Sequence, residues 1–335
     1  MCSSLVFLSY PCSSQPQDRA GASSSATAVI RSRVQTFDVQ TISEAISRVT
    51  IETTVLGPAG REYGELVIYH DRYRRIKDLS GRVLNRDGKA IANLRKDQIE
   101  DVSAVSEGSL YEEGRYRIAR MYHSQYPYTV VYKYEIRHDG LLNWPTWYVG
   151  EESIPTLSTR FVAAAPRAIG MRYALRGLEA EPEVSSSGTR DLYSWELTSL
   201  LPFEPEPWGP TWAQQRPSVQ LAPSVFEIED IRGDMTSWAG FGRWYGEITA
   251  GRDHLSDQVT SAIRTLTEGI ADPLDRARIV YEFVQDRTRY VSVQLGIGRW
   301  QPEEAEVVHA RGYGDCKALT NYTIALLAAA GVPAY

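Results

Sequence analysis

The sequence predicts an α+β protein in which a large antiparallel β-sandwich precedes a shorter helical region. Three observations carry that prediction. Apolar and polar residues alternate with a period of two in repeated short runs from about Ile46 to Leu197. Beyond Trp244 the apolar residues recur instead at helical spacing. Between these regions runs a proline- and tryptophan-rich stretch, Pro202 to Pro223, expected to be extended and surface-hugging. The expected division is a leader over 1–30, a β-rich domain over 31–250 with its connection at 202–223, and a helical domain over 251–335.

Taken in order, Met1 to Ala28 is rich in Ser, Gln and Ala, shows no periodicity and is expected to be disordered or the remnant of a signal. In the first strand Val49, Ile51, Thr53 and Val55 alternate with Arg48, Thr50, Glu52 and Thr54, and Gly57-Pro58 with Gly60 turns the chain. Glu65 to His70 and Gly81 to Asn85 follow as strands, and Asp87-Gly88 marks a hairpin. Thr129 to His138 is the clearest strand: Val130, Tyr132, Tyr134 and Ile136 face one way, Lys133, Glu135 and Arg137 the other. Further strands are read at Thr159 to Ala163, Met171 to Leu175 and Leu192 to Leu197. Helices are expected over Asp257 to Ile270, from Pro273 to about Arg287, and over Pro302 to His309.

Composition narrows the function classes. At 335 residues, 43% hydrophobic and 23% charged, the chain has the make-up of a soluble globular protein. A net charge of −6 without long like-charged runs argues against nucleic acid as a partner. No apolar run approaches the roughly 20 residues of a membrane-spanning helix. Cys2, Cys12 and Cys316 are too few and too scattered for a disulfide framework or a zinc site. Gly296-Ile297-Gly298 lacks the third glycine of a dinucleotide loop, and Gly314-Asp315-Cys316-Lys317 lacks phosphate-loop spacing, so no cofactor is expected. The twenty tyrosines and eight tryptophans suit half-buried strands first, with a peptide- or glycan-binding surface as the alternative.

The chemistry is concentrated in Gly312-Tyr313-Gly314-Asp315-Cys316-Lys317-Ala318-Leu319-Thr320. No Gly or Pro interrupts the chain from Cys316 to Ala330, and Leu319, Thr323, Leu326, Leu327 and Ala330 recur at helical spacing. Asp315 is a good N-cap, and Gly331 with Pro333 a good stop. Cys316 therefore falls on the first turn, where unpaired N–H groups and the helix dipole favour a thiolate and can hold an oxyanion. The alternative is a small buried hydrophobe at the head of an apolar helix. Gln294 and Gln301 are candidate oxyanion donors, and Trp300 and Tyr313 candidate walls of the site. For the latter two, packing of the short helix against the core is the favoured reading. His309, seven residues before Cys316, is a weaker candidate base. Asn321-Tyr322-Thr323 is formally a glycosylation sequon, set inside a helix.

Flanking segments extend the pattern: Thr288-Arg289-Tyr290-Val291, Leu295-Gly296-Ile297-Gly298, Gln301-Pro302 and Ala330-Gly331-Val332-Pro333. Together with the cysteine loop they resemble the transglutaminase-like superfamily, whose papain-like triad runs Cys, His, Asp in chain order. The resemblance implies that Cys316 is the nucleophile and that 251–335 is the first part of such a domain. None of the five histidines (His70, His123, His138, His254, His309) follows Cys316. The sequence thus reads as a C-terminally truncated piece, its His and Asp expected past Tyr335, with Leu326 and Leu327 left uncovered. Gly64-Glu65-Leu66, Asp87-Gly88-Lys89, Ser109-Leu110-Tyr111, Tyr126-Pro127-Tyr128-Thr129 and Pro145-Thr146-Trp147 resemble a β-rich domain of unknown function. That domain precedes transglutaminase-like domains in bacterial envelope proteins, and the likeness runs from about Ala45 to Trp238. The implied function is a cysteine enzyme acting on amide or peptide bonds through a thioester, with a periplasmic, secreted or envelope setting rather than a cytoplasmic one. The rival is a non-catalytic envelope protein whose aromatic-rich sandwich binds a glycan or peptide.

Overall fold

The computed structural model describes residues 26–104, 111–203 and 206–335. The leader reading up to residue 25, with Cys2 and Cys12, lies outside the described residues, as do Ser109 and Leu110. The first strands are β1 (Ala28–Val39), β2 (Glu44–Val55), β3 (Glu65–His70), β4 (Arg74–Leu84), β5 (Ala90–Asn93) and β6 (Ile99–Ser103). Then come β7 (Tyr111–Glu112), β8 (Arg115–Arg120), β9 (Tyr128–Asp139), β10 (Thr146–Tyr148), β11 (Thr156–Pro166), β12 (Met171–Arg176), β13 (Glu183–Ser187) and β14 (Arg190–Leu200). A helical turn α1 (Trp212–Gln215) leads to β15 (Ser218–Pro223), β16 (Val225–Ile228), β17 (Ile231–Asp234) and α2 (Trp238–Thr249). The helical part holds α3 (Asp257–Leu266), α4 (Pro273–Arg287), β18 (Arg289–Tyr290), β19 (Val293–Gln294), α5 (Ala305–Arg311), β20 (Tyr313–Gly314) and α6 (Cys316–Ala329). The protein is of mixed α+β class, as its sequence predicts.

An eight-stranded sheet in the order β13-β14-β11-β1-β2-β9-β4-β5 is the frame. Its pairs are antiparallel except β1 with β11. Register puts one apolar set on one face. Ala45, Val49 and Val55 of β2 stand opposite His138, Tyr134 and Tyr128 of β9, while Phe37 of β1 stands beside Ala163, and Phe161 beside Trp195. Two three-stranded sheets cover that face. The sheet β10-β15-β12 packs Trp147, Val219 and Leu221 on Phe37, Phe161 and Trp195. The sheet β3-β8-β6 packs Ala119 on Val55, Tyr128 and Val130, with Met121 just past β8. Trp147, Phe161 and Trp195 stack in sequence at centroid separations of 5.5 and 5.8 Å. Such offset stacking adds to the burial of large rings. Much of the aromatic content is therefore core: Trp144, Trp147, Trp195 and Trp244 are all buried.

Two expectations change. The connection from Pro202 to Pro223 is not extended throughout, since Ser218–Pro223 is the middle strand of the small sheet, hydrogen-bonded to β10 and β12. Prolines at 217 and 223 only bracket it, so the strand interior keeps its N–H donors. Leu326 is not left uncovered. It is fully buried against Val259, Ile263, Val280 and Val308 from α3, α4 and α5, with Leu327 partly covered. The helical part closes its own core because α6 presents apolar residues on more than one face. Among the described residues, no helix is long and apolar enough to cross a membrane.

Candidate active site

The cysteine loop is built by close approach. Gly312 ends α5 at φ +69°, a left-handed conformation that glycine adopts without strain. The chain then pairs with β18, Arg289 N–H donating to Gly312 O at 3.1 Å and Val291 N–H to Gly314 O at 2.9 Å. Gly314 is required by packing: a Cβ there would lie 2.9 Å from that of Ala318. Asp315 then caps α6, Oδ1 accepting from Ala318 N–H at 2.9 Å, as its residue type predicts. Asp315 is buried and its Oδ2 pairs with the Lys317 ammonium. The far end of α6 is equally defined. Gly331, at φ +71°, donates to Ala328 O at 3.0 Å, and Val332 N–H donates to Leu327 O at 2.8 Å. That double bond pattern is a Schellman motif.

Cys316 is exposed and unpaired on the first turn of α6. It faces away from Ala318, Tyr322, Ala325 and Leu326, which form the buried side of the helix. Its cleft, about 610 Å³, is walled by Tyr245, Ala250, Asp253, Pro302, Thr320 and Ile324. A second cavity of about 370 Å³ lies on the other side of the loop and includes Gly314, Asp315, Tyr313, Gln301 and Pro302. Pro302 borders both.

The other residues singled out in the sequence divide. Tyr313 and Gln301 line the second cavity, although Gln301 Nε2 donates to Ile248 O at 2.8 Å, which ties it to the end of α2. Gln294 sits on β19 in register with Glu112. Trp300 packs at 6.4 Å from Phe241 and 6.1 Å from Trp244, and borders a separate cavity with Phe241, Trp238 and Arg172. His309 has both ring nitrogens engaged, Nδ1 with the Tyr322 hydroxyl at 2.7 Å and Nε2 near Arg287 at 3.4 Å. Burial first, and then Arg287, push its pKa down. Asn321 gives its amide to Arg252 O at 2.7 Å and Glu303 O at 3.3 Å.

Sequence reasoning missed the seam with the β-rich part. Asp71, at the start of a tight turn before β4, has a side chain 1% exposed. Its Oδ1 accepts from Tyr73 and Arg74 N–H, and its Oδ2 from Arg74 and from Arg299 of the helical part. Nothing in the sequence links residues 228 positions apart.

Comparison with known proteins bears on the fold. Residues 44–204 match the family described as a domain of unknown function with a solved structure, DUF3857. No curated protein matches the chain. The crystal structure of a "putative protease" from Parabacteroides distasonis is similar with a TM-score of 0.67 and 14% identity. That similarity covers 92% of this chain and 59% of the other, so the chain spans about three-fifths of that protein's length. Legionella pneumophila aminopeptidase A gives a TM-score of 0.31 at 8% identity over 60% of this chain and 22% of its own, too low to carry an argument. The resemblance read from Ala45 to Trp238 is thus met in part: residues 44–204 match the family model of a domain of unknown function, DUF3857.

Proposed function

We propose that this protein is a cysteine-dependent enzyme of the transglutaminase-like class, acting on amide or peptide bonds. The observation that supports it most is the placement of Cys316: an exposed thiol on the first turn of a capped helix, opening on a cleft. A structural cysteine would face the buried side of α6 instead. In the reaction the sulfur bonds to the amide carbonyl carbon, the C–N bond breaks, and the amine departs with the proton lost by the thiol, leaving a thioester. Water then releases an acid and restores the thiol, or an amine forms a new amide.

Asp315 takes up the N–H of Ala318, so the N–H groups of Cys316 and Lys317 are those a developing oxyanion would meet. Proton transfer is assigned to a histidine that the family resemblance places after α6, because Tyr322 and Arg287 already engage His309. A peptide substrate is consistent with the protease name of the Parabacteroides distasonis structure. An envelope or periplasmic setting belongs to the same proposal and rests on the resemblance alone. The glycan-binding alternative loses its main support, since four of the tryptophans behind it are buried in the core.

The test uses the full-length protein with a fluorogenic peptidyl amide and, separately, a fluorescent primary amine as acceptor. Cys316→Ser should lower turnover by about 10³-fold or more. Hydrolysis without amine incorporation would specify a peptidase or amidase. Turnover unaffected by Cys316→Ser would sink the proposal.

A further inference from the structure

The segment 289–302 leaves the helical part, reaches the β-rich part and returns to the cysteine loop. It begins at β18, which pairs with β20 just before Cys316. It next pairs in parallel with β7, Val293 with Tyr111 and Gln294 with Glu112. Glu113 Oε2 accepts Gly296 N–H at 3.1 Å. Gly296 stands at φ +53°, and a Cβ there would run into the Arg72 guanidinium, so the backbone lies hard against the β-rich part. Ile297 and Trp300 pack on the Phe226 and Trp244 cluster. Arg299 Nη1 donates to Asp71 Oδ2 at 3.0 Å, and its Nη2 reaches the Tyr69 hydroxyl at 3.4 Å. The same strap gives Val293, Gly298 and Gln301 to the second cavity, and Pro302 to both cavities.

We infer that the β-rich part anchors the strap that borders the Cys316 site, with Asp71 and Arg299 as positioning residues that fix the strap and hence the substrate path. This deepens the peptide reading above and rests on it. Neither residue lines the cleft. They act through Gln301 and Pro302. Asp71 is suited to the task because its own turn holds it rigid: two backbone N–H groups and Arg74 orient the carboxylate onto which Arg299 docks. Positioning of this kind matters because small displacements of a reacting group are costly in rate.

Arg299→Gln is the first variant, since Arg74 and the turn still satisfy Asp71 and the fold is kept. Arg299→Lys is the conservative control, and Asp71→Asn tests the other partner. In the full-length protein, Cys316 alkylation is timed with iodoacetamide and with a dipeptidyl acyloxymethyl ketone, alongside amide hydrogen exchange. Arg299→Gln should lower the ketone-to-iodoacetamide rate ratio by about 10-fold, with part of it recovered in Arg299→Lys. Exchange should quicken over 293–301 while β2 and β9 stay protected. If the wild-type protein prefers the ketone, an unchanged ratio in Arg299→Gln and Asp71→Asn overturns the inference, whatever the exchange shows. If the wild-type ratio is no higher than that of free cysteine, the peptide reading fails instead, and exchange decides. Faster exchange confined to 293–301 then upholds the positioning role, and unchanged exchange overturns it.

Discussion

Arg299 Nη1 lies 3.0 Å from Asp71 Oδ2, joining two residues 228 positions apart across the seam between the β-rich and helical parts. Burial alone would raise the Asp71 pKa, but Arg74 and Arg299 outweigh it and hold the carboxyl below the ordinary aspartate range. A depressed carboxyl stabilises the fold above its unfolded value, near pH ~4, and the contribution is lost as pH falls through the lower folded value. Denaturant titrations from pH 7 to pH 2 should therefore show an acid limb that flattens in Asp71→Asn. Asp71→Ala, which strands Arg299, should cost about 3 kcal/mol at neutral pH. An identical acid limb in Asp71→Asn would assign the acid sensitivity elsewhere.

His138 makes a second pH prediction, at a different pH. It is buried on the covered face of the large sheet, 2.8 Å from the Ser47 hydroxyl and edge-on to Phe37. Burial, with Arg74 adding to it, pushes its pKa down to about 4, against the opposing pull of Asp71 and Asp139. Between that value and the ~6.5 of an unfolded histidine, the unfolded chain binds more protons, so stability rises with pH over this window. The full difference amounts to about 3 kcal/mol. His138→Gln should remove that slope between about pH 4 and 6.5, leaving the Asp71 limb below it.

Asp315 and Gly314 set the start of α6, and each has its own signature. Asp315→Ala removes the cap to Ala318 N–H and the Lys317 partner, and should cost about 1–2 kcal/mol. Asp315→Asn keeps the cap and should lose less. Gly314→Ala drives a methyl into Ala318 and should cost about 1–3 kcal/mol through overpacking. Thermal melts measure both, and Cys316 alkylation should become less uniform where the first turn frays.

Leu326 tests the closure of the helical core. It is fully buried among α3, α4 and α5. Leu326→Ala should cost about 2–5 kcal/mol in denaturant unfolding, with slower loss at the β-rich part. A change below about 0.5 kcal/mol would mean that this helix is solvent-facing in solution.

Much of this architecture is legible locally. Glu65–His70 is read in full because Leu66 to Tyr69 is a β-prone run that follows the turn at Gly57 to Gly60, and Val130, Tyr132, Tyr134 and Ile136 share a face because strand geometry has a period of two. The cap at Asp315, the placement of Cys316 and the stop at Gly331 follow from residues within one or two helical turns. Ser218–Pro223 was not legible as a strand, because its prolines suggest a connection and only pairing with β10 and β12 makes it central. The cover over Leu326 was hidden for a related reason: three helices from separate stretches supply it.

What the sequence by itself determined is the local grammar: strands by alternation, the helical region by its longer period, and a cysteine on the first turn of a helix behind an N-cap and two glycines. Those features depend on neighbours a few residues away, where backbone geometry leaves few choices. The tertiary structure alone decided that Trp147 and Trp195 are core and that Gln301 is tied to Ile248. It also decided that the strap beside Cys316 is fastened to Asp71. Each of these depends on chain segments brought together by sheet register and packing, and a linear pattern carries no record of which distant carboxylate a given arginine will meet.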